Sequence, residues 1–104
     1  MKISFFYIPV GTEEEANALG KLAVENKLAA CSNIFPVQSM YSWDGQLQQD
    51  HEFVLILKTF PALNVDLQAL IEQHHSYKIP CILHWEGEVN DAYGHWMENI
   101  ITTI

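Results

Sequence analysis

The segment Phe53-Val54-Leu55-Ile56-Leu57 is apolar at every position, and it follows an Asp44-Gly45 pair that joins it to a second strand-like run. A strand with one wet face alternates apolar and polar residues, so an unbroken run requires cover on both faces. Asp-Gly between two such runs is a two-residue hairpin signal, because a type I′ turn needs positive φ at both central positions. The arms are long. Cys31 to Trp43 is thirteen residues, and thirteen residues of strand extend roughly 43 Å. A domain of this chain length has a radius of gyration near ~13 Å, hence a diameter of roughly 34 Å. Either the hairpin bends back on its own domain, or its tip projects, its unpaired edge invites another chain, and a cyclic oligomer covers both the tip and the open sheet face, which is the reading favoured here.

The remaining elements follow from local signals. Ile3 to Ile8 is an apolar, aromatic strand, and the run is too short to span a membrane. It lacks a small-residue cleavage site and leads through Pro9 and Gly11 into acidic sequence, so it reads as a first strand and not a signal peptide. Thr12 and Glu15 have the spacing of a capping box, and Glu13, Glu14 and Glu15 sit where a helix dipole favours negative charge. The helix they open runs to about Asn26, with Ala16, Leu19, Leu22 and Ala23 as its buried stripe. Pro36 inside the second strand marks a bulge or a free edge. Gln46 to Thr59 is the third strand, and Phe60-Pro61 opens a helix carrying Leu63, Leu67, Leu70 and Ile71. Ile79 to about Gly87 reads as the fourth strand. Asn90 or Asp91 caps a last helix with Tyr93, Trp96, Met97 and Ile100 on one side. The order β-α-β-β-α-β fits an α+β, ferredoxin-like sandwich of one domain over residues 1–104, with an extra C-terminal helix and a projecting β2-β3 hairpin.

Charge narrows the partners. The net charge is −8, with five basic residues, all lysine. That balance argues against nucleic acid and anionic membrane surfaces as partners, and the absence of arginine removes the fork that grips phosphate. Two cysteines without finger spacing read as reduced thiols in the cytoplasm. No G-x-S-x-G, H-E-x-x-H or glycine-rich phosphate loop is present, so the chain carries no recognisable catalytic motif.

Almost the whole chain resembles a known family, most closely in its central third. Leu28-Ala29-Ala30-Cys31, Asn33, Ile34, Pro36, Ser39, Tyr41, Trp43, Gly45, Asp50, Glu52, Lys58 and Thr59 fall at the positions of the CutA signature, the mark of the divalent-cation-tolerance proteins. The resemblance implies a ferredoxin-like fold, a homotrimer, a bacterial cytosolic setting and an association with copper and other divalent cations. It also implies a likeness to the trimeric PII signalling proteins, and with it a sensor that takes a small metabolite in clefts between subunits. Downstream, where the family usually reads H-P-Y-(E/D)-x-P-E, this chain has His75-Ser76-Tyr77-Lys78-Ile79-Pro80-Cys81, with both acidic positions replaced. Asn90, Tyr93 and Trp96 stay in step.

Several side chains then stand as site candidates. Cys31, His75 and Cys81 offer thiolate and imidazole donors suited to copper or zinc. Cys31 in apolar company also reads as core filling, and His74-His75 as a helix end favoured by the dipole. His84, Glu86 and Glu88 share a strand face, either as a nitrogen-oxygen cation site or as solvated charges on an edge strand. Tyr41, Trp43, Glu52, Lys58, Tyr77 and Trp96 are candidates for intersubunit clefts. The aromatics among them equally suit packing, and Lys58 can simply snorkel.

Overall fold

In the computed structural model, which describes residues 1–101, the chain folds in the expected order. β1 (Lys2–Val10), β2 (Cys31–Trp43), β3 (Gln46–Thr59) and β4 (Leu83–Glu88) form one antiparallel sheet of order β2-β3-β1-β4. α1 (Glu13–Glu25) follows β1, α2 (Asn64–His74) follows β3 after a 3-10 turn at Pro61–Leu63, and α3 (Asp91–Ile101) ends the described chain. This is the ferredoxin-like plan.

The register resolves the two-sided apolar strand. Leu55 and Leu57 of β3 lie opposite Ile8 and Phe6 of β1. All four are fully buried in one cluster with Leu19 and Ala23 of α1 and Leu67 and Ile71 of α2. The other face carries Phe5, Tyr7 and Pro9 of β1 beside Lys58, Ile56 and Val54 of β3. α3 covers one end of that face: Met97 and Ile101 pack with Ile3 and Ala30, and Phe5 and Tyr93 pack against them. The stripe of α3 is Gly94, Met97 and Ile101, while Trp96 is exposed. Beyond α3 the face stays open, with Phe35, Leu83 and Trp85 exposed.

Two expectations about the hairpin are met. Asp44 and Gly45 both have positive φ, at 52° and 76°, and pairing runs from Trp43 opposite Gln46 back to Cys31 opposite Lys58. The long axis of the molecule is 46 Å against 24 and 21 Å across, and Met40, Trp43 and Leu47 near the tip are exposed. Replacing Gly45 with alanine forces a side chain into the left-handed region, so we expect Gly45→Ala to lower stability by about 1 kcal/mol. A melting comparison showing no loss would place the turn strain elsewhere. Pro36 sits on β2, an edge strand, where its missing N–H leaves no interior ladder bond unmade.

The fourth strand departs from expectation. It begins at Leu83, not Ile79, and residues 75–82 form a loop. Pro80 has no N–H to donate to a ladder, and Ile79 is exposed to 69% instead of packing on the sheet. Cys81 consequently lies in the loop and is exposed.

Candidate functional site

The loop after α2 is held by three separate contacts. The His75 side chain is fully buried; its Nε2 lies 2.9 Å from the carbonyl of Pro9, and its Nδ1 accepts the Tyr77 N–H at 3.0 Å. The ring is therefore the tautomer that donates from Nε2. Glu15 accepts from both the Ser76 N–H, at 2.9 Å, and the Ser76 hydroxyl, at 2.8 Å. The capping box is thus half realised. Thr12 accepts the Glu15 N–H at 3.1 Å, but the Glu15 carboxylate turns away to two donors on the loop, where it does more than it would at the helix end. Finally, the Tyr77 hydroxyl donates to Glu52 Oε2 at 2.6 Å, tying the loop to β3. Burial, then that hydrogen bond, raise the Tyr77 hydroxyl well above the ordinary tyrosine pKa.

A cleft of about 680 Å³ opens between this loop and the hairpin. Tyr41 and Trp43 of β2, Gln48 and Glu52 of β3, and Tyr77 and Cys81 of the loop line it, with Pro9, Ser76, Lys78 and Ile79 completing the wall. Four of the six cleft candidates thus come together within one chain. Tyr41 donates to Asp50, its diagonal neighbour across the hairpin, in a short hydrogen bond that is the main cause of its raised pKa. Glu52 is 9% exposed, which is unusually low for a carboxylate.

A family model described as CutA1 divalent ion tolerance protein matches residues 4–100. This chain belongs to the CutA1 family. It is 39% identical over 79 residues to the divalent-cation tolerance protein CutA of Archaeoglobus fulgidus, covering 76% of this chain and 78% of that protein. The solved structure of the periplasmic divalent cation tolerance protein CutA from the same organism superposes with a TM-score of 0.91 at 33% identity, covering 95% of this chain and 98% of that one. The chloroplastic protein CutA of Arabidopsis thaliana is 35% identical over 95 residues; the match covers 89% of this chain and about half, 52%, of that protein.

The other two cleft candidates of this CutA1 chain lie elsewhere. The Lys58 ammonium sits 5.4 Å from the Tyr93 ring centroid, and Trp96 packs against Tyr93 at 5.3 Å. Both belong to the α3 end of the open face. Burial, then a hydrogen bond with Cys31, raise the Tyr93 hydroxyl, so Cys31 belongs to this end as well.

The three soft donors are not gathered by one chain. Cys31 shares a row of the sheet with Lys58, Phe5 and Trp85, whereas His75 reaches the carbonyl of Pro9 four residues along β1. Two strands across and four residues along amount to roughly 16 Å. Cys81 lines the cleft, and it and Cys31 are both free thiols. Among the described residues no three His, Cys, Asp or Glu side chains form a group able to hold a metal ion. His84, Glu86 and Glu88 follow the edge-strand reading. His84 stacks on Phe6 with centroids 4.9 Å apart, Glu86 lies 3.8 Å from the Lys2 ammonium, and Glu88 is exposed. No helix among the described residues is long and apolar enough to cross a membrane.

Sequence reasoning missed Pro9, Gln48, Ser76, Lys78 and Ile79 as cleft-lining residues, took Cys81 for a metal donor only, and missed Glu15 as the clasp. The Asp50 contact was available from the turn alone, since pairing Trp43 with Gln46 puts Ser39 opposite Asp50 and Tyr41 one step away.

Proposed function

We propose that the protein serves divalent-cation tolerance as a cytoplasmic homotrimer that binds copper. The match of residues 4–100 to the divalent ion tolerance family carries this reading. The open sheet face with exposed Phe35, Leu83 and Trp85 supports the oligomer, because a large apolar area left to water marks an interaction surface. Two free thiols support a reducing compartment.

One chain separates its soft donors, so a copper site built from Cys31, His75 and Cys81 takes them from more than one subunit, with zinc as the competing metal. His75 would also have to release Pro9 or Tyr77 in order to ligate. Light scattering behind a sizing column should give three times the monomer mass, and a clean monomer refutes the assembly. Copper calorimetry then compares the wild type with Cys31→Ser, Cys81→Ser and His75→Ala. We expect each variant to weaken binding that survives moderate salt. Equal binding by all four would put any copper on surface histidines such as His84 or His95.

The second reading is a PII-like sensor that binds a small metabolite. A volume of about 680 Å³ favours it, being the size of a ligand pocket and far larger than a metal ion needs. A thermal-shift panel of metabolites separates the two readings.

A further inference from the structure

We propose that the cleft between the hairpin and the Tyr77 loop binds an organic ammonium: a protonated amine carried on an aromatic or apolar body, with its N–H groups on the open oxygen of Glu52. This inference rests on the metabolite reading and names the ligand class.

Glu52 is nine-tenths buried, with 9% exposure, and it lines the cavity. Its Oε2 accepts one hydrogen bond, from Tyr77, while a carboxylate offers about four acceptor positions. Among the described residues it forms no ion pair; Lys58 lies at the α3 end, over Tyr93. A buried carboxylate with one neutral donor and no counter-charge is costly by itself and complementary to a cation.

The walls select the kind of cation. Tyr41, Trp43 and Tyr77 line the cleft, and aromatic rings attract ammonium groups through their quadrupole. Tyr41 and Tyr77 each donate a hydroxyl to a carboxylate, which polarises the phenol towards its ring and strengthens that attraction. A bare metal ion fits poorly, because Glu52 and Cys81 are the only His, Cys, Asp or Glu side chains in the lining. The volume instead matches a molecule with a body of its own. Lys78, the one cationic side chain in the wall, is exposed. It repels an ammonium placed beside it, so the charged end belongs at Glu52 and the apolar body against the aromatics and Ile79.

Calorimetry on the whole protein with 2-phenylethylamine and its uncharged counterpart 2-phenylethanol tests the charge directly. We expect the amine to bind at least about tenfold more tightly, the scale of a charge-assisted hydrogen bond in a partly dry site. Glu52→Gln should erase that preference, and Trp43→Leu should weaken both ligands. Should Glu52→Gln lower the melt, Tyr77→Phe serves as the second variant: it frees the carboxylate and keeps the ring, so the preference for amine should persist. Equal binding of amine and alcohol, an unchanged preference in Glu52→Gln, or a lost preference in Tyr77→Phe each overturns the ligand class. If the amine is silent while other metabolites shift the melt through Trp43, the class fails and the metabolite reading stands. Silence across the whole panel overturns both.

Discussion

Leu57→Asp is expected to leave no folded protein in solution. Leu57 is fully buried in the cluster beneath α1 and α2, opposite Phe6 on β1 and Ser32 on β2. The substitution loses about 2–3 kcal/mol of apolar burial and adds a carboxylate whose unpaired desolvation costs several kcal/mol more. A domain of this size is stable by about 5–15 kcal/mol in total, so the sum takes most or all of it. Leu47→Asp is the control. Leu47 lies near the hairpin tip at 67% exposure, and the same change there should leave the fold intact. Soluble yield and far-ultraviolet circular dichroism read both variants. A Leu57→Asp protein that melts cooperatively near the wild-type temperature would mean that the buried face of β3 is assigned wrongly.

Phe6→Ala is expected to be the next most damaging change. Phe6 is fully buried on the central strand and stacks on His84 at 4.9 Å. Truncating a buried phenylalanine costs about 3–5 kcal/mol, because the lost transfer energy adds to the cavity left behind. In a chain of this length the melting temperature should fall by on the order of 20 °C. Phe35→Ala on the open face is the comparison. Phe35 is 40% exposed within one chain, so a large loss there would report burial by another subunit. Denaturant unfolding of Phe6→Ala that shifts by under 1 kcal/mol would contradict the packing described above.

The fold was legible where local chemistry and register coincide. Asp44-Gly45 defines the hairpin turn, and once Trp43 faces Gln46 every pair back to Cys31 and Lys58 follows. Thr12 marks the start of α1 as read. The two parities of β3 foretold cover on both faces, which α1 and α2 supply on one side and α3 on part of the other. The start of β4 was illegible because Ile79 and Ile82 carry strand-like side chains, while Pro80 and the contacts of Ser76 and Tyr77 hold the backbone in a loop. Those contacts come from Glu15 and Glu52, 61 and 25 residues away, and nothing in the local sequence announces them. The candidate site divides along the same line. Tyr41, Trp43 and Glu52 are related through the hairpin register, whereas the addition of Tyr77 and the departure of Lys58 and Trp96 depend on how the loop and α3 pack.

The outer edge of β2 runs from Cys31 to Trp43, and among the described residues no strand lies beside it. Such an edge is a template on which strands can add without limit, the geometry from which fibrils grow. Pro36 breaks that template. It withholds an N–H near the middle of the strand and divides the edge into two shorter runs, so no thirteen-residue ladder can form along it. A neighbour that seats itself here must present its own donors around the gap. The proline thus acts as a gatekeeper, favouring a partner of matched shape over indiscriminate stacking.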